Sequence, residues 1–377
     1  MSIYKSPINV PKTGHELITC HYPLRIDTYS SCYHNCEYCY ARSMLSDRNL
    51  WTPENVRMAD INEIKSKIEL YLGGVGNGLV AKAIQNRIPA RLGGLTDCFQ
   101  PIEEEKQTTL QLLKYLNSID YPYLIVTKSD LISDCTYLSE LRKDLAYVQI
   151  TITTLNEKTA RRLEPNAPSP ERRIKALSKL NNAGVYSAGR VSPIIPNITD
   201  RDCFEVIERM IEIKVPHIIF EVFRGSDKMV KRIERATGLE IEPLQKRGVY
   251  YRFPSKEKEA LYEAIVQKMI GSKTNFSFCS DGDPVPFSYH STKNCCGTDA
   301  IKLKIPDTKF NMGNEKVASN LYYELNEKRT VRFEDLNRYF SLSDDLFRQA
   351  WNNGFLSQYV PNCEWDRETN TYTYTGE

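Results

Sequence analysis

The sequence predicts an α/β chain built on a partial (β/α)6 TIM-like barrel, with a C-terminal accessory region of winged-helix-like pattern. Three observations predict it. Six short β-rich runs alternate with helical runs through the first 225 residues, the order that yields a parallel sheet with crossover helices. The helical runs repeat apolar residues at three- and four-residue spacing, as amphipathic helices on a sheet do. A string of three cysteines follows the first β-rich run directly, at the sheet end where such folds carry their reactive residues.

Taken in order, the β-rich runs are residues 24–29, 88–94, 123–128, 146–153, 185–194 and 217–223. The helical runs between them are 59–72, 102–116, 131–144, 169–183 and 201–213. Leu110, Leu113 and Leu116 share a face of one, and Ile207, Met210 and Ile211 a face of another. Pro170 suits a first helical turn, Gly184 a helix end, and Asp200 a helix start. Beyond residue 225 the alternation stops. Residues 226–312 read as an irregular accessory segment with a helix near 256–270 and a short strand at 275–278. Residues 313–377 read as three helices and then Thr/Tyr alternation at 365–374, with 366–371 as the hairpin turn of a small winged helix. The expected division is therefore 1–225 for the barrel and an N-terminal extension, 226–312 for the accessory segment and 313–377 for the last module.

A chain of 377 residues is long for one core, which agrees with that division. Nothing approaches the roughly 20 apolar residues of a membrane span, and the first residues lack the apolar stretch of a signal peptide. A cytoplasmic protein without membrane contact is expected. Eleven cysteines in a reducing compartment, an odd number, point to metal or redox chemistry rather than disulfides. The net charge of +2 gives no global basic field. Two local groups, Arg161 to Lys175 and Arg224 to Arg252, suit either phosphate recognition or a solvated face with interspersed glutamates.

Cys32, Cys36 and Cys39 stand as C-x3-C-x2-C. Three thiolates on one loop can bind three irons of a [4Fe–4S] cluster, which otherwise takes four cysteines. The remaining iron is then open to a small molecule. Zinc is the alternative, and it needs a fourth ligand such as His34, Cys20 or His21. A second group, Cys279, Cys295 and Cys296 with His290, suits a further metal site, a loop that brings a thiol to the barrel mouth, or plain packing. Cys20, Cys135 and Cys203 read as structural.

The cysteine string continues C-E-Y-C-Y-A-R. After it come R-L-G-G-L-T-D-C-F-Q-P-I-E (91–103), V-T-K-S (126–129), I-T-I-T-T-L (150–155), L-E-P (163–165) and V-S-P-I-I-P (191–196). Together these resemble the spore photoproduct lyase-like branch of the radical S-adenosylmethionine (SAM) superfamily over about residues 20–225. The resemblance implies a [4Fe–4S] cluster on Cys32, Cys36 and Cys39, SAM on the open iron, and an electron donor of flavodoxin or ferredoxin type. It implies that Tyr38 helps enclose SAM and that Tyr40 serves a radical relay, against a packing role for both. Gly93 and Gly94 would receive the SAM amino group, Asp97 a hydrogen bond, and Lys128 the carboxylate. Thr151 and Thr153 alternate on one strand face, as do Arg190 and Ser192, and an inward Arg190 needs an anionic partner that SAM can supply.

One departure stands out. The family's hydrogen-donating cysteine has no match at Gly94 and Leu95, and the nearest thiol is Cys98, which reads equally as a buried apolar residue. Spore photoproduct repair itself is therefore not expected. The expectation is a radical SAM enzyme acting on a nucleic-acid base or nucleotide. The alternatives are a peptide, protein or small-metabolite substrate, and a non-catalytic nucleic-acid binder with a structural metal.

Overall fold

The computed structural model describes residues 7–10, 22–279, 289–292, 295–298, 330–332, 363–369 and 371–375. Its centre is an open eight-stranded sheet that begins with β1 (Ile8–Asn9), β2 (Arg25–Ile26), β3 (Ala90–Leu92), β4 (Tyr123–Thr127), β5 (Ala146–Thr151), β6 (Ser187–Ile194) and β7 (His217–Val222). Strands β2 to β7 pair in sequence order and are all parallel, while β1 joins β2 antiparallel. The six expected runs are these six parallel strands, trimmed at their ends.

Helices cover the outer face. Ile61–Leu72 starts at Asp60, whose carboxylate accepts from the amides of Asn62 and Glu63, and it buries Ile61, Ile64 and Ile68. Pro170–Asn182 starts at Ser169 with Pro170 in its first turn and buries Ile174, Leu177 and Leu180. Cys203–Glu212 buries Cys203, Val206, Ile207 and Met210. The three-and-four spacing is thus the core-facing stripe in each.

Two helical runs differ from expectation. Residues 102–116 form two helices, Ile102–Lys106 and Thr108–Ser118, because Gln107 between them adopts a left-handed φ of 50°. Residues 131–144 reduce to a 3-10 turn, Leu131–Ser133, and one turn of helix, Cys135–Leu138. There the Ser133 hydroxyl donates to the Asp130 carbonyl and that of Ser139 to Thr136, local bonds that compete with a longer helix. Tyr40–Ser46, Leu79–Gln85 and Glu157–Leu163 are further helices of seven residues each, too short for a clear period.

Past the barrel runs, β8 (Arg224–Ser226), β9 (Gln245–Arg247) and β10 (Tyr250–Arg252) form a small antiparallel sheet, and the helix Asp227–Thr237 lies between β8 and β9 in the chain. The helix Ser255–Met269 leads to β11 (Asn275–Phe278), which pairs parallel with β7. The strand expected at 275–278 therefore extends the barrel sheet. Residues 295–298 then close the barrel floor. The hydroxyls of Tyr147 and Ser277 donate to the carbonyls of Cys296 (2.7 Å) and Cys295 (2.6 Å), and Tyr22 Oη donates to Thr298 Oγ1 (2.6 Å). Gly297, at φ 66°, is fitted against the His217 ring so closely that a Cβ would lie 1.8 Å from Nδ1.

At the C-terminus β12 (Thr330–Arg332), β13 (Cys363–Asp366) and β14 (Thr371–Tyr374) form a three-stranded antiparallel sheet in the order β12-β14-β13. Asp366 pairs with Thr371, so the hairpin lies where the alternation placed it. The three helices expected before it lie outside the described residues. No helix among the described residues is long and apolar enough to cross a membrane.

Candidate active site

A cavity of about 250 Å³ runs from the barrel floor to the C-terminal ends of the strands. Period-two geometry builds its walls in layers. At its base Tyr22, Leu124, Cys295 and Cys296 line it, packed on Tyr147, Ala188 and Ile219. Two residues further along each strand, the lining becomes Val126, Gln149, Arg190 and Glu221, joined by Arg91. Two further still come Lys128, Thr151, Ser192 and Phe223, level with Gly93 and Gly94.

The cysteine loop caps this upper layer. Cys32, Cys36 and Cys39 all line the cavity and none is in a disulfide. Cys32 and Cys36 are 8% and 6% exposed, and burial pushes the Cys32 thiol up to about 12. Cys39 caps the helix Tyr40–Ser46, its sulfur accepting from the Arg42 amide at 3.4 Å. The loop is held from both sides. The Gln100 amide group donates to the Ser31 carbonyl at 2.8 Å and accepts from the Tyr33 amide at 2.7 Å. Opposite, Arg232 donates to the carbonyls of Glu37 (2.9 Å) and Cys39 (3.2 Å) and to Ser43 Oγ (3.0 Å).

Among the described residues, no three His, Cys, Asp or Glu side chains are grouped to hold a single metal ion. His34, one of the three possible fourth ligands of zinc, faces Asp97 at 3.3 Å instead, and Cys20 and His21 lie outside the described residues. A [4Fe–4S] cluster asks for less convergence, since each thiolate takes a different iron. Three thiols on one loop, opening into one cavity, fit that group.

Gly93 ends β3 at φ 85°, and a Cβ there would lie 2.2 Å from the Val126 carbonyl oxygen. Only glycine lets the turn pass so close to β4. Asp97 lines the cavity but is already engaged. Its carboxylate accepts from Thr127 Oγ1 and from the amides of Lys128 (both 2.7 Å) and Phe99 (2.9 Å). Burial alone would raise it, but His34 and these donors pull Asp97 down to about 2. It braces the turn against β4 and the cysteine loop. Lys128 follows β4 with its ammonium 5.4 Å from the centre of the Tyr38 ring. Burial disfavours its charge, yet Cys36, Glu164 and Asp97 outweigh that and keep its pKa raised.

Behind Tyr38 lies a buried ionic network. Glu164 accepts from the Tyr38 hydroxyl, from Thr153 Oγ1 at 2.7 Å and from Arg173. Arg173 also donates to the carbonyls of Pro168 (2.8 Å) and Thr151 (3.0 Å). Burial would raise Glu164, but Arg173 and then Lys128 hold it at about 2. Thr153 belongs to this network and does not line the cavity, whereas Thr151 does. Tyr40, 43% exposed, also lines the cavity and donates to the Gly94 carbonyl at 2.5 Å.

Besides Thr153, three expectations change. Arg190 lines the cavity, but its carboxylate partner is Glu221 on the next strand, so its charge is met within the protein. Cys98 is 0% exposed and absent from the cavity wall, because after Asp97 the chain turns into the main core, where Cys98 and Phe99 both pack. The cavity thiols outside the cysteine loop are instead Cys279, Cys295 and Cys296. A second metal site there is not supported: Cys295 and Cys296 pack in the apolar floor, and no metal-holding group of three forms among the described residues. Gln149 and Glu221 were not singled out from sequence, and Arg232 only as one of a basic group. The first two carried a legible signal, since Gln149 shares parity with Thr151, and Glu221 is the lone carboxylate of an apolar strand.

A family model described as the radical SAM superfamily matches residues 26–210. An uncharacterised protein of Methanocaldococcus jannaschii is 29% identical over 183 residues, 46% of this chain and 61% of that protein. A radical SAM Nα-GlyT isomerase of Pseudomonas phage M6 is 25% identical over 150 residues, 38% of this chain and 31% of that protein. The chain thus spans less than two thirds of the length of these curated relatives. Spore photoproduct lyase complexed with dinucleoside spore photoproduct superposes with a TM-score of 0.55 at 14% identity, covering 74% of this chain and 81% of that one. At that identity the likeness is one of fold.

Proposed function

Residues 26–210 of this chain are a radical SAM domain, and from that premise we propose that it is an enzyme acting on a nucleic-acid base or nucleotide. The observation that carries the reading is the cavity. The cysteine loop, the Gly93–Gly94 turn and Lys128 meet at its upper end, while a separate polar layer lies below. Cys32, Cys36 and Cys39 would hold a [4Fe–4S] cluster and leave one iron for SAM. Bound there, the pair supplies reductive cleavage of SAM to methionine and a 5′-deoxyadenosyl radical, which abstracts a hydrogen atom from substrate. A flavodoxin- or ferredoxin-type partner would deliver the electron.

The chain's own residues bind, orient and shield. Lys128, kept charged by its neighbours, offers a cation for the SAM carboxylate. The Gly93 turn brings backbone rather than side chain to the cavity edge. Tyr38, fixed through its hydroxyl by Glu164 and Thr153, presents a ring that cannot swing away. Thr151 and Ser192 belong to the wall of the same layer as Lys128. Tyr40, tethered to Gly94, stands between the cysteine loop and the opposite turn, where a phenol can pass a hydrogen atom. The apolar floor keeps water from the deep end.

The two basic stretches singled out in the sequence meet beside the cysteine loop. Arg162 donates to the Thr237 carbonyl at 2.6 Å, which joins the two basic groups, and Arg232 of the same helix Asp227–Thr237 grips the cysteine loop. The phage relative, named as an isomerase of Nα-GlyT, supports a radical SAM enzyme outside photoproduct repair.

The test is anaerobic reconstitution with iron and sulfide, reduction, and assay of 5′-deoxyadenosine made from SAM. The control is the Cys32→Ala, Cys36→Ala, Cys39→Ala variant. Nucleoside formed only with the intact triad supports the assignment. A reconstituted, SAM-exposed protein that forms none refutes it.

A further inference from the structure

The charges that line the cavity do not balance. Among the described residues they are Arg91, Lys128, Arg190 and Arg224 against Asp97 and Glu221. Lys128 has Asp97 and, behind the wall, Glu164 for neighbours, and Arg190 donates to Glu221. Arg91 on β3 and Arg224 on β8 make the difference. Most of this charge lies beneath the SAM-facing residues. Arg91 precedes Gly93 by two positions, as Arg190 precedes Ser192 on β6. The Arg190 and Glu221 side chains are only 13% and 18% exposed. Burial works against the Arg190 charge and Glu221 outweighs it, while Arg91 stands near enough to oppose it. Two guanidiniums therefore face one partly desolvated space. Arg224 sits at the rim, its guanidinium 4.2 Å from the centre of the Tyr250 ring. Like charges gathered in such a space repel, and an anion between them relieves the cost. SAM does not supply that anion. Its carboxylate is set against an ammonium and a sulfonium, so loading the upper end of the cavity adds positive charge.

Resting on the function proposed above, we propose that the layer under SAM is an oxyanion subsite, in which Arg91 and Arg190 bind a phosphate or carboxylate carried by the substrate. A guanidinium is planar and always charged, and its fork of donors matches either oxyanion. Glu221 sets the direction of approach. It holds Arg190 from one side, so the anion enters from the Arg91 side, away from the carboxylate. The layer lies inside the barrel, where the backbone of a duplex does not enter. The oxyanion therefore belongs to the part of the substrate that enters the cavity, either the terminal phosphate of a nucleotide or a carboxylate borne on the base. A neutral nucleoside leaves the excess charge of the wall unmet. Arg91 and Arg190 are specificity-determining residues, and no step of the radical chemistry passes through them.

The experiment reads binding apart from SAM cleavage. The full chain, reconstituted with iron and sulfide and held unreduced with SAM, is titrated with the common deoxynucleosides and their 5′-monophosphates. A second arm pairs 2′-deoxyuridine with 5-carboxy-2′-deoxyuridine, and saturation-transfer NMR reports binding in both. At least one anion binds about tenfold or more tighter than its neutral parent, the gain expected for one charge-assisted contact. The two arms tell a phosphate from a carboxylate. Arg91→Met removes the advantage, and Glu221→Gln, which deletes the carboxylate of the layer, enlarges it. The comparison of each anion with its parent uses the wild-type chain, so it stands even if a variant does not fold. Equal binding of every anion and its parent, or no binding of any anion, overturns the subsite. An advantage that survives Arg91→Met also overturns it, since the anion is then held elsewhere on the chain. Wild-type formation of 5′-deoxyadenosine, measured separately, tells failure of the subsite from failure of the radical SAM reading.

Discussion

Replacing Arg173 by methionine removes the cation from a pair in which each side chain is 1% exposed. Its worth follows from Glu164. The fall of that carboxylate from 4.5 to about 2, at about 1.36 kcal/mol per pH unit, corresponds to about 3 kcal/mol. Arg173 is the largest of the favourable causes, and its bonds to the Pro168 and Thr151 carbonyls are lost with it. Stripping one partner from a buried pair costs about 3–5 kcal/mol in general, so both routes agree. Because the folded pKa is depressed, the folded chain binds this proton less readily than the unfolded chain. The contribution is complete above about 4.5 and is lost as pH falls toward about 2. Urea unfolding of the apo-protein, followed by circular dichroism, is expected to show Arg173→Met less stable by about 3 kcal/mol at pH 7. The gap to wild type then narrows below pH 4.5. The double variant with Glu164→Gln recovers part of the loss, since no buried charge is stranded. A loss under about 1 kcal/mol at pH 7, or a gap that stays constant from pH 6 to pH 3, refutes the reasoning.

Three further outcomes are expected. Lys128→Met weakens SAM binding to the reconstituted protein about tenfold or more, measured by anaerobic equilibrium dialysis, because a charge-assisted contact is lost. Gly93→Ala meets both a φ of 85° and a carbonyl at 2.2 Å, so it lowers stability by about 2 kcal/mol or more in the same urea assay; an unchanged midpoint would contradict the close approach. His217 is buried and held down to about 3, chiefly by desolvation and then by His290. The unfolded chain therefore takes up this proton first, and stability falls as pH drops below 6.5. His217→Gln, which cannot titrate, should flatten that part of the stability profile.

The barrel strands were legible because each is a β-rich run bounded by turn residues and separated by amphipathic repeats. The helix break at Gln107 was not, since nothing in its chemistry marks a left-handed backbone. The three loop cysteines, the glycine pair and Lys128 came together at one end of the sheet because strand ends in a parallel barrel converge whatever their sequence distance. The residues between were harder. Arg190 was seen to need an anion, but Glu221, 31 positions later, becomes its neighbour only when β6 and β7 pair. Cys98 was judged by proximity in sequence to the glycine turn, and the path of its loop decided otherwise. Gln149 shows the reverse case. Its parity with Thr151 was available, yet one neutral amide among apolar residues draws no notice until the fold sets it in the cavity wall beside Arg190.

The floor formed by residues 295–298 carries a consequence for biosynthesis. Six parallel strands are complete once residue 222 has been made, but the bonds that tie Tyr22 to Thr298, Tyr147 to Cys296 and Ser277 to Cys295 form only when the turn at 295–298 is present. A nascent chain that has emerged only as far as β7 holds a barrel whose lower end is wet, with polar groups solvated where the finished molecule is dry. Ribosome-bound intermediates of that length should be protease-sensitive near β2 and β5 and gain protection abruptly when the floor turn emerges, so that chaperone contact is needed longest by the half of the protein synthesised first.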